Sequence, residues 1–274
     1  MNQTQTKHYE YLNNMSNNTS NLEKYGFKFG KNGAHSARSM MLEELKTLFS
    51  TLKLDATVEQ YQSEIVDHNI LDKPTTKSRG LTFRHLIDLY GLSNDIPLFR
   101  IFRRLWSIDE TAQPVLALQL AIVRDPLLRL SIEMIQEAKY GDAIVRTDVE
   151  EILKAQDPER FSPASLKSFA QNINGSWTQA GFLKGKNKKI RSEPIVTPVN
   201  VSFALFLGYL EGVSGERLLQ SKWCKLLCLT NHQLIELAMA ASHRGIIDFK
   251  QSGGVTDVRF PGFLTAEEEQ WQYE

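Results

Sequence analysis

The stretch SPASLKSFAQNINGSWTQAGFLKGKNKKIRSEPIVTP (Ser162–Pro198) carries the reading of the fold. Ser162 is a helix-capping residue, and Pro163 suits the first helical position. Leu166, Phe169, Ile173, Trp177 and Ala180 recur at steps of 3, 4, 4 and 3, the inward stripe of an amphipathic helix. Lys167, Gln171, Asn174 and Thr178 fall on another face, with side chains that hydrogen-bond base edges or phosphates. Gly181 ends the helix. Phe182–Ile190 (FLKGKNKKI) then reads as one strand and the tip of a hairpin, with Glu193–Pro198 (EPIVTP) returning as the second strand. A helix followed by a basic hairpin is the grammar of a winged helix-turn-helix, with the wing lying beside a duplex groove. Lys184, Lys186, Lys188, Lys189 and Arg191 are expected to neutralise phosphates from that wing, which confers affinity and salt dependence without sequence choice.

A second pattern of this kind lies upstream. Val58, Tyr61 and Ile65 mark a short helix, Asn69–Pro74 a turn, and Thr75 to Gly91 a second helix with Phe83, Leu86, Ile87 and Tyr90 inward. Thr76, Lys77 and Arg79 in its first turns, and Arg84 further along, are small, polar or basic. That is the character of a recognition helix, whose N-terminal part approaches the major groove. Helix pairs of this kind are also ordinary packing units, so this signal is weaker than that of Ser162–Pro198.

The chain has 274 residues with 32 basic and 32 acidic side chains, yet the charge is uneven. Lys73 to Trp106 holds seven bases against two acids, and Arg160 to Arg191 holds seven bases and no acid. The C-terminal TAEEEQWQYE carries four glutamates. Local fields of this kind, rather than the total, decide whether a polyanion is attracted. Hydrophobic residues make up 42%, enough for buried cores. The opening is polar and asparagine-rich, without a signal-peptide pattern, and the longest apolar run, Val115–Val123, is too short to span a bilayer. It reads as a buried core helix, and a cytoplasmic protein without membrane contact is expected.

The expected organisation is a flexible polar arm (1–35) and an N-terminal helical unit with a helix-turn-helix (36–141). A winged unit (142–199), a C-terminal helical unit with a hairpin (200–264) and an acidic tail (265–274) follow. Within the second unit, Ile96–Trp106 reads as an amphipathic helix with Arg100, Arg103 and Arg104 outward, and Asp125 with Pro126 opens another helix. Thr147 and Glu150 suggest a capping box for the helix after it. In the C-terminal unit, a hairpin around Gly253–Gly254 carries Asp248 and Asp257 beside Lys250 and Arg259, a poor phosphate grip. The fold class is mainly α, with tandem winged helix-turn-helix-like units and short β-hairpin wings.

The sequence offers little chemistry. The six histidines make no pair with metal-ligand spacing, there is no phosphate-binding glycine loop and no nucleophile elbow. Cys224 and Cys228 lack a second pair that would complete a zinc site. A protein without a cofactor, and not an enzyme, is expected.

Three segments taken together resemble the BrxA family of bacteriophage exclusion (BREX) defence systems. They are EIVDHNILDKPTTKSRGLTFRHLIDLY (Glu64–Tyr90), DPLLRLSI (Asp125–Ile132) and SPASLKSFAQNINGSWTQAGFLKGK (Ser162–Lys186). The resemblance covers about Ser39 to Lys189. It implies a small, mainly helical protein that binds double-stranded DNA through helix-turn-helix-like units. The contacts would be the helix Thr75–Arg84 and the helix Ser165–Thr178 with its wing, and the partners a DNA methyltransferase or ATPase of the same system. The polar N-terminal segment and the chain beyond Asn200 depart from that pattern. Two other readings stand beside it, a protein–protein adaptor and a winged-helix transcription regulator.

Overall fold

A helix that is apolar all round has to be surrounded, and Gln113–Arg124 is such a helix: every residue from Val115 to Arg124 is buried. The computed structural model describes residues 19–156 and 158–272, and this helix stands near their centre. The elements before it are a helix over 19–25 (α1), α2 (Leu42–Thr51), α3 (Val58–Gln62, continued by a π-turn to Asp67), α4 (Thr76–Tyr90) and α5 (Pro97–Trp106). The central helix is α6, and α7 (Pro126–Arg129) and α8 (Ile132–Glu137) follow it. Helices α4, α5, α7, α10 and α11 all pack against α6.

The next elements come in the order of a winged helix. Strand β1 (Ala143–Ile144), α9 (Arg146–Gln156), α10 (Pro163–Gln179), β2 (Leu183–Lys184) and β3 (Lys189–Arg191) succeed α8. The strands form an antiparallel sheet in the order β1-β3-β2, and α9 packs on α10. A second cycle uses α11 (Pro198–Leu210), α12 (Lys222–Leu226), α13 (Asn231–His243) and the hairpin β4 (Asp248–Ser252) with β5 (Val255–Arg259); α14 (Ala266–Gln270) follows. The mainly α architecture with short β-hairpins is therefore as the sequence indicated. Buried side chains from Leu22 to Phe263 form one continuous hydrophobic cluster that runs through all these units.

Several local expectations differ. From residue 19 onward the N-terminal segment is packed, not a free arm: Leu22, Tyr25 and Phe27 are buried, and Tyr25 donates to the Glu268 carbonyl at 2.7 Å. Residues 1–18 lie outside the described residues. The acidic C-terminal segment is anchored too, because Glu268 is buried and pairs with Arg100 at 2.6 Å. Arg103 and Arg104 do not face solvent freely either. Arg103 is 3% exposed and donates to the Phe49 and Leu52 carbonyls; Arg104 donates to Gly262 O and lies over the Phe263 ring. Strand β1 has no counterpart in the sequence reading, being only two residues long. Helix α9 opens two residues earlier than the Thr147–Glu150 box places it, with the Asp148 carboxylate accepting from Val145 N–H. The return strand of the first wing is Lys189–Arg191, not Glu193–Pro198.

Candidate nucleic-acid interface

The wing is built by its register. Leu183 pairs with Arg191 and Lys184 with Ile190. Side chains opposite each other share a face, so Arg191 points inward with the buried Leu183, while Lys184 points out. Gly185 begins the turn at φ +98°, where a Cβ would stand 2.3 Å from the Lys188 carbonyl; only glycine closes this turn without strain. The Lys189 ammonium donates to Gly185 O at 2.8 Å and braces the tip, and partial burial lowers its pKa. Lys184, Lys186 and Lys188 remain exposed and form no ion pair among the described residues.

Helix α10 supplies the other half. Ser162 caps it by accepting from Ser165 N–H. Lys167 and Gln171 are exposed on its N-terminal half, the end that enters a groove in helix-turn-helix docking. Asn174 is not available beside them. Its i−4 and i+3 neighbours are Ala170 and Trp177, both fully buried, and Asn174 itself is 4% exposed. The C-terminal half of α10 is covered on one side by the segment His35–Leu42, with Gln179 bonded to Ser39 and Leu42 and Gly175 against Ser39.

The upstream pair contributes less charge than the sequence promised. Thr75 and Ser78 close a capping box at the start of α4, and Thr76, Lys77 and Arg84 are exposed. Arg79 is withdrawn: it reaches back across the turn to the Val66 and Lys73 carbonyls, which ties the two helices together. Lys73 pairs with Glu44 at 2.9 Å. Arg79→Ala is therefore expected to lower stability by about 1–2 kcal/mol in urea unfolding, with duplex affinity unchanged in fluorescence anisotropy. One cation escaped the sequence reading. Arg38 is exposed, and burial followed by the fields of Arg38 and Arg84 lowers the pKa of His85 on α4. Its neighbour Ser39 touches α10, so Arg38 stands between the two helix-turn-helix units. No sequence pattern distinguishes it from any other loop arginine.

Comparison with family models and with curated proteins gives no match to this chain.

The second hairpin sets opposite charges against each other. Asp248 stands opposite Arg259 and Lys250 opposite Asp257, so each cation faces an anion across the strands. The interior holds something the sequence concealed. His35 Nδ1 lies 2.9 Å from Asp125 Oδ2, and its Nε2 lies 2.7 Å from Ser176 Oγ, the order of a Ser–His–Asp triad. All three side chains are buried. Ser176 Oγ also accepts from Met40 N–H and donates to Asn172 O. A hydroxyl so sealed and so occupied holds elements together; the network joins the His35–Met40 segment, the α6–α7 junction and α10. The three residues lie 90 and 51 positions apart in the chain, and no spacing rule connects them. Among the described residues no group of three or more His, Cys, Asp or Glu side chains is placed to hold a metal ion. No helix among them is long and apolar enough to cross a membrane.

Proposed function

We propose that this chain is a non-catalytic double-stranded-DNA-binding protein, an accessory of a bacterial antiphage system of the BREX type that works in the cytoplasm beside a DNA methyltransferase or ATPase. One observation carries the DNA-binding part. Lys167 on α10 and Lys184, Lys186 and Lys188 on the wing are exposed, free of ion pairs among the described residues, and belong to one winged unit. A wing of lysines reads backbone and not bases, so general duplex affinity is the primary expectation. Gln171 adds a side chain able to pair with adenine, the minimum for modest sequence preference and for the regulator reading. The defence context rests on the resemblance of Glu64–Tyr90, Asp125–Ile132 and Ser162–Lys186.

The test is fluorescence anisotropy of a random-sequence duplex at about 50 and 200 mM salt. About four phosphate contacts give a log–log slope of roughly −3 to −4. Replacing Lys186 and Lys188 with Ala should weaken binding to all sequences by roughly 10- to 100-fold and bring the slope closer to zero by about 2. Absence of binding at low salt, or an unchanged slope in the double variant, overturns the reading.

The adaptor reading is favoured by a different feature. Between α8 and α9 runs a cavity of about 960 Å³ lined by Leu130, Ile132, Met134 and Ile152 among others, in which Glu133, Glu137, Asp148 and Glu151 outnumber the cations Arg129 and Lys222. Apolar lining with an excess of acids matches a cationic amphipathic segment of a partner protein. The titration above separates the readings, because a pure adaptor shows no duplex affinity for the wing variant to lose.

A further inference from the structure

A second depression, of about 550 Å³, opens where the segment after α8, strand β3 and helix α12 meet. Gln136, Lys139, Tyr140, Arg191, Lys225 and Cys228 line it, and no acidic side chain does. We propose that this depression binds a small organic phosphate, with Arg191, Lys139 and Lys225 supplying the charge and Gln136 a further hydrogen-bond donor.

Arg191 is the strongest element. The residue is 2% exposed, and its guanidinium makes no ion pair with a carboxylate among the described residues. Nε donates to Ile135 O at 3.0 Å, Nη1 to the carbonyls of Phe182 and Ser192, and Nη2 to Cys228 Sγ at 3.0 Å. A guanidinium has five N–H donors, so one on Nη2 is left over. Carbonyl dipoles satisfy hydrogen bonds but do not cancel the charge, and burial raises the pKa of the Cys228 thiol despite the Arg191 charge beside it. Arg103 and Arg124 are also buried on carbonyl oxygens, but neither lines this cavity. Lys139 and Lys225 are exposed and form no ion pair among the described residues. Gln136 Nε2 is buried without a hydrogen-bond partner. Two carboxylates lie close without lining the site: Asp142 accepts from Lys139 N–H, and Glu193 acts on the Tyr140 hydroxyl.

The rest of the lining sets the kind of anion. Tyr140 is 53% exposed, with its ring over the Arg191 guanidinium at 5.1 Å, and Ala138 and Leu229 add apolar surface. The volume falls within the range of small-molecule sites, roughly 300–1,000 Å³. A phosphate head on the cations with a planar or apolar body against Tyr140 and Leu229 uses both halves of the lining; inorganic phosphate uses one. Arg191, at the end of the wing's return strand, lines the site, but the lysines toward the wing tip, Lys184, Lys186, Lys188 and Lys189, do not.

Isothermal titration of the full chain with ADP, inorganic pyrophosphate and adenosine tests this, together with iodoacetamide labelling of Cys228. Cys224, which is 2% exposed, serves as the unreactive internal control. ADP should bind and slow Cys228 labelling, pyrophosphate should bind more weakly, and adenosine should not bind. Replacing Lys139 and Lys225 with Ala should weaken ADP by about tenfold or more while duplex affinity holds. Replacing Lys186 and Lys188 should do the converse. Absence of ADP binding up to ~1 mM, or equal binding of adenosine, overturns the site. So does loss of duplex affinity in the Lys139/Lys225 variant without ADP binding, which would assign these cations to the duplex backbone.

Discussion

Asp125→Ala is expected to cost about 3–5 kcal/mol of folding stability in urea unfolding, because it strands buried donors on two elements at once. Asp125 is 1% exposed and accepts four hydrogen bonds. His35 N–H and ring Nδ1 reach Oδ2 at 2.9 Å each, and the Leu127 and Leu128 N–H groups reach Oδ1 at 2.9 and 3.0 Å. The last two make it the N-cap of α7, while the first two fasten the segment that covers α10. There is no slack to relax into, since a Cβ on Gly33 would stand 2.0 Å from Oδ1. Burial alone raises this carboxyl's pKa; the His35 ring and the backbone donors outweigh it and bring the value below the ordinary 3.8. A depressed carboxyl contributes stability that is fully present above its unfolded value and lost as pH falls through the lower folded one. The gap between wild type and Asp125→Ala should therefore be constant near neutrality and narrow below about pH 4. A loss under about 1 kcal/mol, or a gap that widens in acid, would show that the network does not carry this junction.

Trp177→Ala is the other large effect, with an expected loss of about 3–5 kcal/mol. The indole is fully buried, donates from Nε1 to Ser131 Oγ at 2.8 Å, and meets the Phe182 ring edge-on at 5.1 Å. Phe182 N–H in turn donates to the Trp177 carbonyl, so α10 and the start of the wing share one anchor. Trp177→Phe separates packing from hydrogen bonding. It should cost less than the alanine variant, because Ser131 Oγ keeps its bond to Leu128 O at 2.7 Å. Urea midpoints order the two variants, and near-UV circular dichroism reports the loosened core. Equal stability of Trp177→Ala and wild type would contradict the anchoring role.

The two variants together locate what the sequence left open about the interface. Ser162, Pro163 and the stripe Leu166, Phe169, Ile173, Trp177 and Ala180 made α10 legible, since local spacing fixes which side of a helix is apolar. The lysines of the tip were legible as well, because Lys184, Lys186 and Lys188 stay exposed. Arg191 was misplaced by the choice of return strand. Put at a hairpin tip it is a phosphate contact; put opposite Leu183 it is a core residue. Asn174 and Arg79 failed for a related reason. Both lie on a polar face by spacing, but Asn174 sits between Ala170 and Trp177 of its own helix and is buried with them, while carbonyls across a turn claim Arg79.

What the sequence by itself determined is most of the helices, the apolar stripe of α10, the order of helix and hairpin, and the exposed lysines of the wing. These depend on capping residues, apolar period and turn chemistry, all of which act over a few residues. Only the tertiary structure decided which charges remain free. It tied Arg79, Arg103, Arg104 and Arg191 to backbone carbonyls, joined Arg100 to Glu268, and placed His35, Asp125 and Ser176 in one line. The physical reason is reach. A long cationic side chain takes its partners from whatever backbone the fold brings within a few ångströms, and residues that meet from distant parts of the chain leave no periodicity to read.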